Sequence, residues 1–388
     1  MSEHKSLLIP GDFPPVVSGI ATYFYEIWRH FPPESNFILA SWDQDCKNFD
    51  QQTELKIIRK HIPTGDSTQA KLLKGIAHTL YTILLHLKHH FSVIHCGQVL
   101  SSGVTGWVMK KLFKLPYVVY VYGSETYRFG NNHLLSKAIK SFLLNANKII
   151  PNSHFTKDEF ISFGIPEEKF EVITPGVDTL RLRPAQKPND LIEKYQLHGK
   201  FVLLTVARLD ERKGHDHVIE AIANLKPRFP NLAYLIVGKG REEQRLHNLA
   251  NSLGISQEII FCGYINDTDL SRYYNLCDIF ILLNRQSIKE TRLKGDYEGF
   301  GIVFLEAAAC SKPVIAGNYG GIQDAVEDSK SGFIIDGTNP AEIERILTDL
   351  IINPQLRKKI GEYGLQRVRQ QFDWAIISAK IKPYLCKN

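Results

Sequence analysis

Several absences narrow what this chain can be. Its six cysteines (Cys46, Cys96, Cys262, Cys277, Cys310 and Cys386) include no C-x-x-C pair, which argues against a disulfide framework or a zinc site. Several lie in apolar runs such as Ile260-Phe-Cys262 and read as reduced core residues of a cytoplasmic protein. No apolar run reaches the length of a spanning helix, and Leu7-Leu-Ile9 is too brief for a secretory signal. No basic stripe is interleaved with stacking aromatics and no zinc-finger spacing occurs, so no nucleic-acid partner is expected. No tandem repeat of solenoid period is present.

What remains is the composition of a large α/β enzyme. At 388 residues with 44% hydrophobic content, the chain can bury two ordinary cores, since domains run to roughly 100–200 residues. Strand-like runs are expected at Ser6–Pro10, Phe37–Ser41, Lys56–Arg59, Val93–Cys96, Tyr117–Val121, Lys148–Pro151 and Phe170–Ile173. A second set is expected at Phe201–Val206, Ala233–Val237, Ile259–Cys262, Ile279–Leu282, Pro313–Ala316 and Gly332–Ile335. Helical patterns alternate with these runs, which predicts parallel sheets with helices on both faces. Pro175-Gly176, followed by the polar stretch Arg181 to Asp190, is the best place to divide the chain.

The net charge of +6 is modest. Between Thr68 and Phe91, apolar residues at 72, 73, 76, 80, 83, 84 and 87 follow helical spacing, with Lys71, Lys74, His78, Lys88, His89 and His90 mostly off that stripe. The favoured reading is a helix that packs its stripe on the first domain's sheet. The alternative is peripheral contact with an anionic membrane, to which the basic cluster Lys110-Lys111-Leu-Phe-Lys114 could add.

The densest chemistry lies in Tyr297-Glu-Gly-Phe-Gly-Ile-Val-Phe-Leu-Glu306. Glu298 and Glu306 bracket a glycine-bearing turn that runs into an apolar helix start. A helix beginning near Ile302 offers free backbone amides and its positive end to an anion, with Gly299 and Gly301 permitting close approach. Carboxylates beside an anion hole suit a sugar nucleotide, whose hydroxyls donate to them while its diphosphate takes the amides. Upstream, the run Phe201–Val206 leads into Arg208-Leu-Asp-Glu-Arg-Lys-Gly214. That places Arg208 and Lys213 at the carboxyl edge of a sheet, as a clamp for a departing diphosphate. Arg212 is expected to face solvent.

Taken with Ser18-Gly19-Ile20, Tyr122-Gly-Ser-Glu125, Pro175-Gly-Val-Asp178, Leu235-Ile-Val-Gly-Lys-Gly240, Pro313-Val-Ile-Ala-Gly317 and Gly320-Gly321, these segments resemble glycosyltransferase family 4 over nearly the whole chain. The likeness is to phosphatidylinositol mannosyltransferase-type members. It implies the retaining GT-B architecture, two Rossmann-like doubly wound parallel-sheet domains facing across a cleft. Residues 1–178, joined by a returning helix in 372–388 anchored at Trp374, would bind the acceptor. Residues 179–371 would bind the nucleotide sugar. The implied catalytic residues are Arg208, Lys213, Glu298 and Ser124, the last standing where relatives place a cleft histidine. The implied donor contacts are Gly19, Arg208, Lys213, Gly238, Gly240, Tyr264, Glu298, Phe300, Gly301, Ile302, Val303 and Glu306. Glu306 would hold the ribose, Glu298 a sugar hydroxyl, and Gly19 would let the first-domain loop approach the phosphate. Ser18 replaces the first glycine of the usual pair.

The resemblance implies transfer of a hexosyl group, mannose favoured, to a lipid-linked or glycan acceptor in envelope polysaccharide, lipopolysaccharide or glycolipid synthesis, at the inner face of the membrane. It implies no cofactor or metal beyond the nucleotide-diphosphate sugar as co-substrate. A UDP-sugar user of the same family and a non-catalytic nucleotide-sugar-binding module are the alternatives. Gly238-Lys-Gly240 opens like a dinucleotide fingerprint, but Glu243 occupies its third glycine position. Asp43-Gln-Asp45 reads as a surface loop. His215 and His217, two apart at a helix start, point to different faces and make a poor metal pair. Ser153 and His154 lack a nucleophile elbow and read as structural.

Overall fold

The computed structural model of the chain describes residues 4–63, 65, 67–123, 125, 133–286 and 297–386. They form two compact units, Met1–Pro175 with Trp374–Asn388, and Gly176–Asp373. In the first unit, β1 (Ser6–Ile9), β2 (Asn36–Ser41), β3 (Lys56–Lys60), β4 (Val93–Cys96), β5 (Tyr117–Val121) and β6 (Lys148–Pro151) make one parallel sheet in the order β3-β2-β1-β4-β5-β6. The second unit has β7 (Phe201–Val206), β8 (Leu232–Val237), β9 (Ile259–Gly263), β10 (Ile279–Leu282), β11 (Val314–Gly317) and β12 (Gly332–Ile335), in the order β12-β11-β10-β7-β8-β9. Numbered within each unit, both orders read 3-2-1-4-5-6. The order reverses between β1 and β4 in one sheet and between β7 and β10 in the other, and such sheets open a crevice at that point.

The sequence produces these sheets because most of its strands, the edge strand β3 apart, are continuously apolar or nearly so rather than apolar at alternate positions. β1, β4, β5, β8, β10 and β11 are buried along their full length, as strands covered by helices on both faces must be. Serine and asparagine mark helix starts. Ser18 accepts from the Ala21 amide at 3.1 Å, and Ser153 accepts from that of Thr156 at 3.0 Å; such caps contribute about 1 kcal/mol each. The C-terminal helix Trp374–Ile381 belongs to the first unit, where the Trp374 ring lies 6.1 Å from Tyr23. Beside it His95 is wholly buried, with Nδ1 3.0 Å from Tyr120 Oη and Nε2 3.0 Å from the Tyr384 carbonyl oxygen. Burial lowers its pKa to about 4, so the ring is neutral.

Two expectations require correction. Phe170–Ile173 is not a strand. Phe170 makes an isolated bridge to Ile149, and the amides of Glu171 and Ile173 donate to Ile149 and Pro151 of β6. Pro175 follows at once and has no amide hydrogen to continue the ladder. The apolar stripe on the Thr68–His89 helix does not pack on the sheet. Leu72, Leu73, Ile76, Leu80, Leu84 and Leu87 are 47–64% exposed, whereas His78 and Thr82 on the other side are buried. Periodicity finds the two faces of a helix. Here small and hydrogen-bonded groups, with Tyr81, Leu85 and, from the expected stripe itself, Ile83, supply the inner one.

Candidate functional site

The second unit gathers charge at the carboxyl edge of its sheet. After β7 the chain turns through Glu211–Lys213 and Gly214 into the helix His215–Leu225. Gly214 has φ +67°, and a Cβ there would overlap the Leu283 carbonyl just past β10. The Arg285 amide donates to the Arg212 carbonyl at 2.9 Å. The loops after the two strands that flank the topological switch are thus pinned together.

Glu298 reaches this point from the other side. Its carbonyl accepts from the Gly321 amide at 2.8 Å, and Gly320, at φ +97°, lies so close that a side chain would strike Glu298 backbone. With its main chain fixed, its carboxylate bonds Lys213 Nζ and lies 3.5 Å from Arg212 Nη1. Burial pushes the Glu298 pKa up, but the two cations outweigh it, and the carboxyl sits below its usual range. Burial pulls the Lys213 ammonium down, and Glu298 restores only part of that. Arg212 is therefore not a solvent-facing residue: its side chain is 11% exposed, and it reaches the same Glu298 carboxylate oxygen as Lys213. Arg208 is 69% exposed and paired with Asp210 at 3.1 Å; its charge is felt by Lys213.

Gly301, at φ +88°, caps the helix Ile302–Ala309. A Cβ there would come within 2.6 Å of the Phe304 ring, so the left-handed turn demands glycine. The amides of Ile302 and Val303 begin the helix and lack intrahelical partners by position. Glu306, one turn inside, has a different partner from Glu298: its carboxylate accepts from Tyr274 Oη at 2.6 Å. Burial raises its pKa. Phe300 is buried against Phe372 at 6.2 Å between ring centroids, so only its main chain could meet a ligand.

The remaining expected residues fall as follows. Side chains at Gly238 and Gly240 would overlap the carbonyls of Ala207 and Leu209; both glycines are required by the packing of the β8 loop on the β7 loop. Tyr264 stands 55% exposed after β9. Gly19, in the first unit, opens the helix Gly19–Trp28 with no atom within 4 Å of a Cβ position; nothing in that unit's packing demands glycine. Ser18, which replaces the first glycine of the usual pair, is that helix's cap. Ser124 lies outside the described residues. Beside it, the Glu125 carboxylate accepts from the Tyr122 amide at 3.1 Å.

Sequence reasoning missed a second layer. His215, neutral with its pKa lowered to about 4 by burial, has Nε2 3.2 Å from the Arg208 carbonyl oxygen. Asp216 pairs with Arg285 at 2.7 Å and Arg245 at 3.0 Å. Asn284 is 2% exposed, and neither polar atom of its side chain has a partner among the described residues. Its place directly after an apolar strand, at the sheet edge, was the available signal. Among the described residues, no cluster of three or more His, Cys, Asp or Glu could hold a metal ion.

Comparison with known proteins shows the family. The Glycosyltransferase Family 4 model matches residues 17–181, and the Glycosyl transferases group 1 model matches residues 188–367. A Mycolicibacterium smegmatis GDP-mannose-dependent alpha-(1-6)-phosphatidylinositol monomannoside mannosyltransferase is 34% identical over 98% of this chain and 97% of its own. The Mycobacterium tuberculosis H37Rv protein of the same description is 33% identical over 235 residues, 60% of each chain. Among solved structures, Anabaena Alr3699/HepE in complex with UDP superposes with a TM-score of 0.80 at 21% identity, over 98% of this chain and 99% of that one. The fold is GT-B, and the chain belongs to the family 4, group 1 glycosyltransferases.

Proposed function

We propose that this glycosyltransferase is a retaining hexosyltransferase, with mannose as its sugar and a nucleotide-diphosphate sugar as donor. The acceptor is a lipid-linked or glycan molecule of envelope polysaccharide, lipopolysaccharide or glycolipid synthesis. Residues 1–178 with 372–388 take the acceptor, and residues 179–371 take the donor. The observation that carries the reading is the Lys213, Arg212 and Glu298 cluster beside the glycine-capped mouth of the Ile302–Ala309 helix. Relatives named as GDP-mannose-dependent support mannose, and the phosphatidylinositol monomannoside in their name supports a lipid acceptor.

In the reaction, the bond from the anomeric carbon to the diphosphate oxygen breaks as the acceptor hydroxyl attacks. Negative charge grows on the leaving diphosphate, and preorganised donors that meet it there lower the barrier. Lys213 and the exposed guanidinium of Arg208 supply cationic donors, and the amides of Gly301, Ile302 and Val303 supply neutral ones. The leaving phosphate takes the acceptor proton, and because these cationic and amide donors meet the charge on the diphosphate, no divalent cation is required. Glu306 receives the ribose hydroxyls and Glu298 a sugar hydroxyl. Lys213 already neutralises Glu298 without ligand, so an arriving diphosphate competes for a lysine that is poised and desolvated. The open Cβ position at Gly19 leaves room for a phosphate to approach the first-unit loop.

The test is nucleotide release from a panel of GDP- and UDP-sugars, with a lipid acceptor and EDTA. Release from GDP-mannose in EDTA is expected. Release from UDP-sugars alone would move the donor assignment, loss of turnover in EDTA would reject the cation-free clamp, and binding without release would make the protein a non-catalytic module.

A further inference from the structure

Glu306 is held by a residue outside the cation cluster. Tyr274 lies in the last turn of the helix Asp267–Leu276, between β9 and β10, and is wholly buried. Its Oη donates to Glu306 Oε2 at 2.6 Å. The turn that carries it is itself pinned. Tyr273 Oη lies 2.9 Å from Tyr195 Oη. Asn275 Nδ2 donates to the Arg183 carbonyl at 3.0 Å, and its Oδ1 accepts from the Ala185 amide at 2.7 Å. Lys312 Nζ donates to the carbonyls of Asn275 and Cys277 at 3.0 and 2.8 Å, where the helix ends and a cation is favoured. The Tyr274 ring packs 5.7 Å from that of Phe280, which meets Phe304 of the glutamate's own helix at 5.8 Å. A side chain so packed has one place for its hydroxyl.

Glu306 is partly exposed. An ionised carboxylate offers about four acceptor positions, and the tyrosine fills one of them. Those left over suit two neighbouring hydroxyls, such as the 2′ and 3′ hydroxyls of a ribose, provided the carboxylate neither turns nor takes up a proton. Tyr274 guards against both. Burial raises the Glu306 pKa, Tyr274 and the Arg181 guanidinium draw it down, and Asp267 pushes it up. The Cys310 thiol at the end of the same helix, pushed up to about 12 chiefly by burial, is neutral. Burial and the adjoining carboxylate both hold the Tyr274 hydroxyl well above its ordinary range, so it stays the donor of the pair.

We infer that Tyr274 is a positioning residue of the donor site: its buried hydroxyl fixes one oxygen of Glu306 so that the remaining lone pairs receive both hydroxyls of the ribose together. This deepens the proposed function and rests on its assignment of the ribose to Glu306. Tyr274 acts through the carboxylate and not on the sugar or the diphosphate. The ribose keeps its hydroxyls throughout the reaction, so the contribution is equal in the ground state and the transition state. Loss of the tyrosine hydroxyl therefore weakens donor binding and leaves the chemical step intact.

The test is calorimetry of the full chain with GDP and UDP, each beside its 2′,3′-dideoxy form, for wild type, Tyr274→Phe, Glu306→Gln and the double variant. Tyr274→Phe keeps the ring and its packing, and a melt checks its fold. With the nucleotide that wild type binds, its Kd should rise about tenfold or more, as for loss of a hydrogen bond to a charged group, while the Kd of the dideoxy form stays within about twofold. In the Glu306→Gln background the same change should have little effect, and in turnover it should raise KM with kcat unchanged. The Kd also climbs as pH falls and Glu306 protonates, and in Tyr274→Phe that climb should begin at a higher pH. The inference is overturned if Tyr274→Phe binds the nucleotide like wild type, if it weakens both forms equally, or if its effect persists beside Glu306→Gln. A different result identifies failure of the underlying reading: wild type that binds the dideoxy form as well as the parent, with Glu306→Gln unchanged, removes the ribose from Glu306 and the inference with it. Should Tyr274→Phe not fold, a crystal structure of wild type with the bound nucleotide decides. Tyr274 Oη still on Glu306 Oε2, with the ribose hydroxyls on the same carboxylate, is expected, and a ribose hydroxyl in the place of the tyrosine's would overturn it.

Discussion

The two units share one strand order and differ in where they place their charge. In the second, Lys213, Arg212, Glu298, Asp216 and Arg285 converge at the switch between β7 and β10, most of them buried and paired. In the first, the corresponding edge offers the uncrowded Gly19, while the lysines collect on outer helices around an exposed leucine stripe. One topology thus carries two arrangements of charge, and the buried ion cluster is the one suited to a small anionic ligand. The topology alone does not distinguish the two; the side chains at the switch do.

The contrast can be broken most sharply in the second unit. Lys213→Ala and Arg208→Ala should each lower turnover about a hundredfold or more, the usual cost of removing one donor to a developing charge. Near-normal steady-state rates would remove these residues from the mechanism. Glu306→Ala should act on binding: loss of a charged hydrogen-bond acceptor costs about 1.5–3 kcal/mol, read by calorimetry as an increase in donor Kd of ten-fold or more. An unchanged Kd would reject its ribose role.

A matched pair of glycine substitutions sharpens the comparison. Gly301→Ala forces a left-handed turn and a contact with Phe304, and should cost about 1–2 kcal/mol in stability. Gly19→Ala meets open space in a helix start and should stabilise by up to about 1 kcal/mol, yet lower turnover by narrowing the phosphate approach. Thermal melts beside initial rates separate the two effects.

A separate effect, on stability alone, is in pH. His78 and His95 in the first unit and His215 in the second have pKa values lowered to about 4, chiefly by burial, from an ordinary 6.5. Between those values the unfolded chain binds more protons, so stability falls as pH drops from 6.5 toward 4 and is fully present above 6.5. All four tryptophans, Trp28, Trp42, Trp107 and Trp374, lie in the first unit. The melting midpoint followed by tryptophan fluorescence should therefore fall over this range, and a flat profile would contradict the buried neutral histidines.

Much of this was legible in the sequence, and for physical reasons. Uniformly apolar runs such as Tyr117–Val121 and Ile279–Leu282 became strands with the expected bounds, because strands covered on both faces need apolar residues at every position. The helix start at Ile302 and the place of Lys213 just past β7 followed from the glycine-bearing turn and from the hand-over of strand to helix. What was not legible depended on contacts distant in sequence. Arg212 reads as surface until the turn at Glu211–Lys213 aims it at Glu298, eighty-six positions away. Glycines 238 and 240 resemble ligand glycines until Ala207 and Leu209 are found against them. The direction of the Thr68–His89 helix is set by Ser101 and Thr105 on its neighbours, and periodicity carries no sign.

The most direct test is a crystal structure with GDP-mannose bound. The account predicts the diphosphate at the amides of Gly301, Ile302 and Val303, with Lys213 and Arg208 nitrogens about 2.7–2.9 Å from its oxygens and the ribose at Glu306. A nucleotide seated elsewhere, with the Lys213 to Glu298 pair undisturbed, would contradict it.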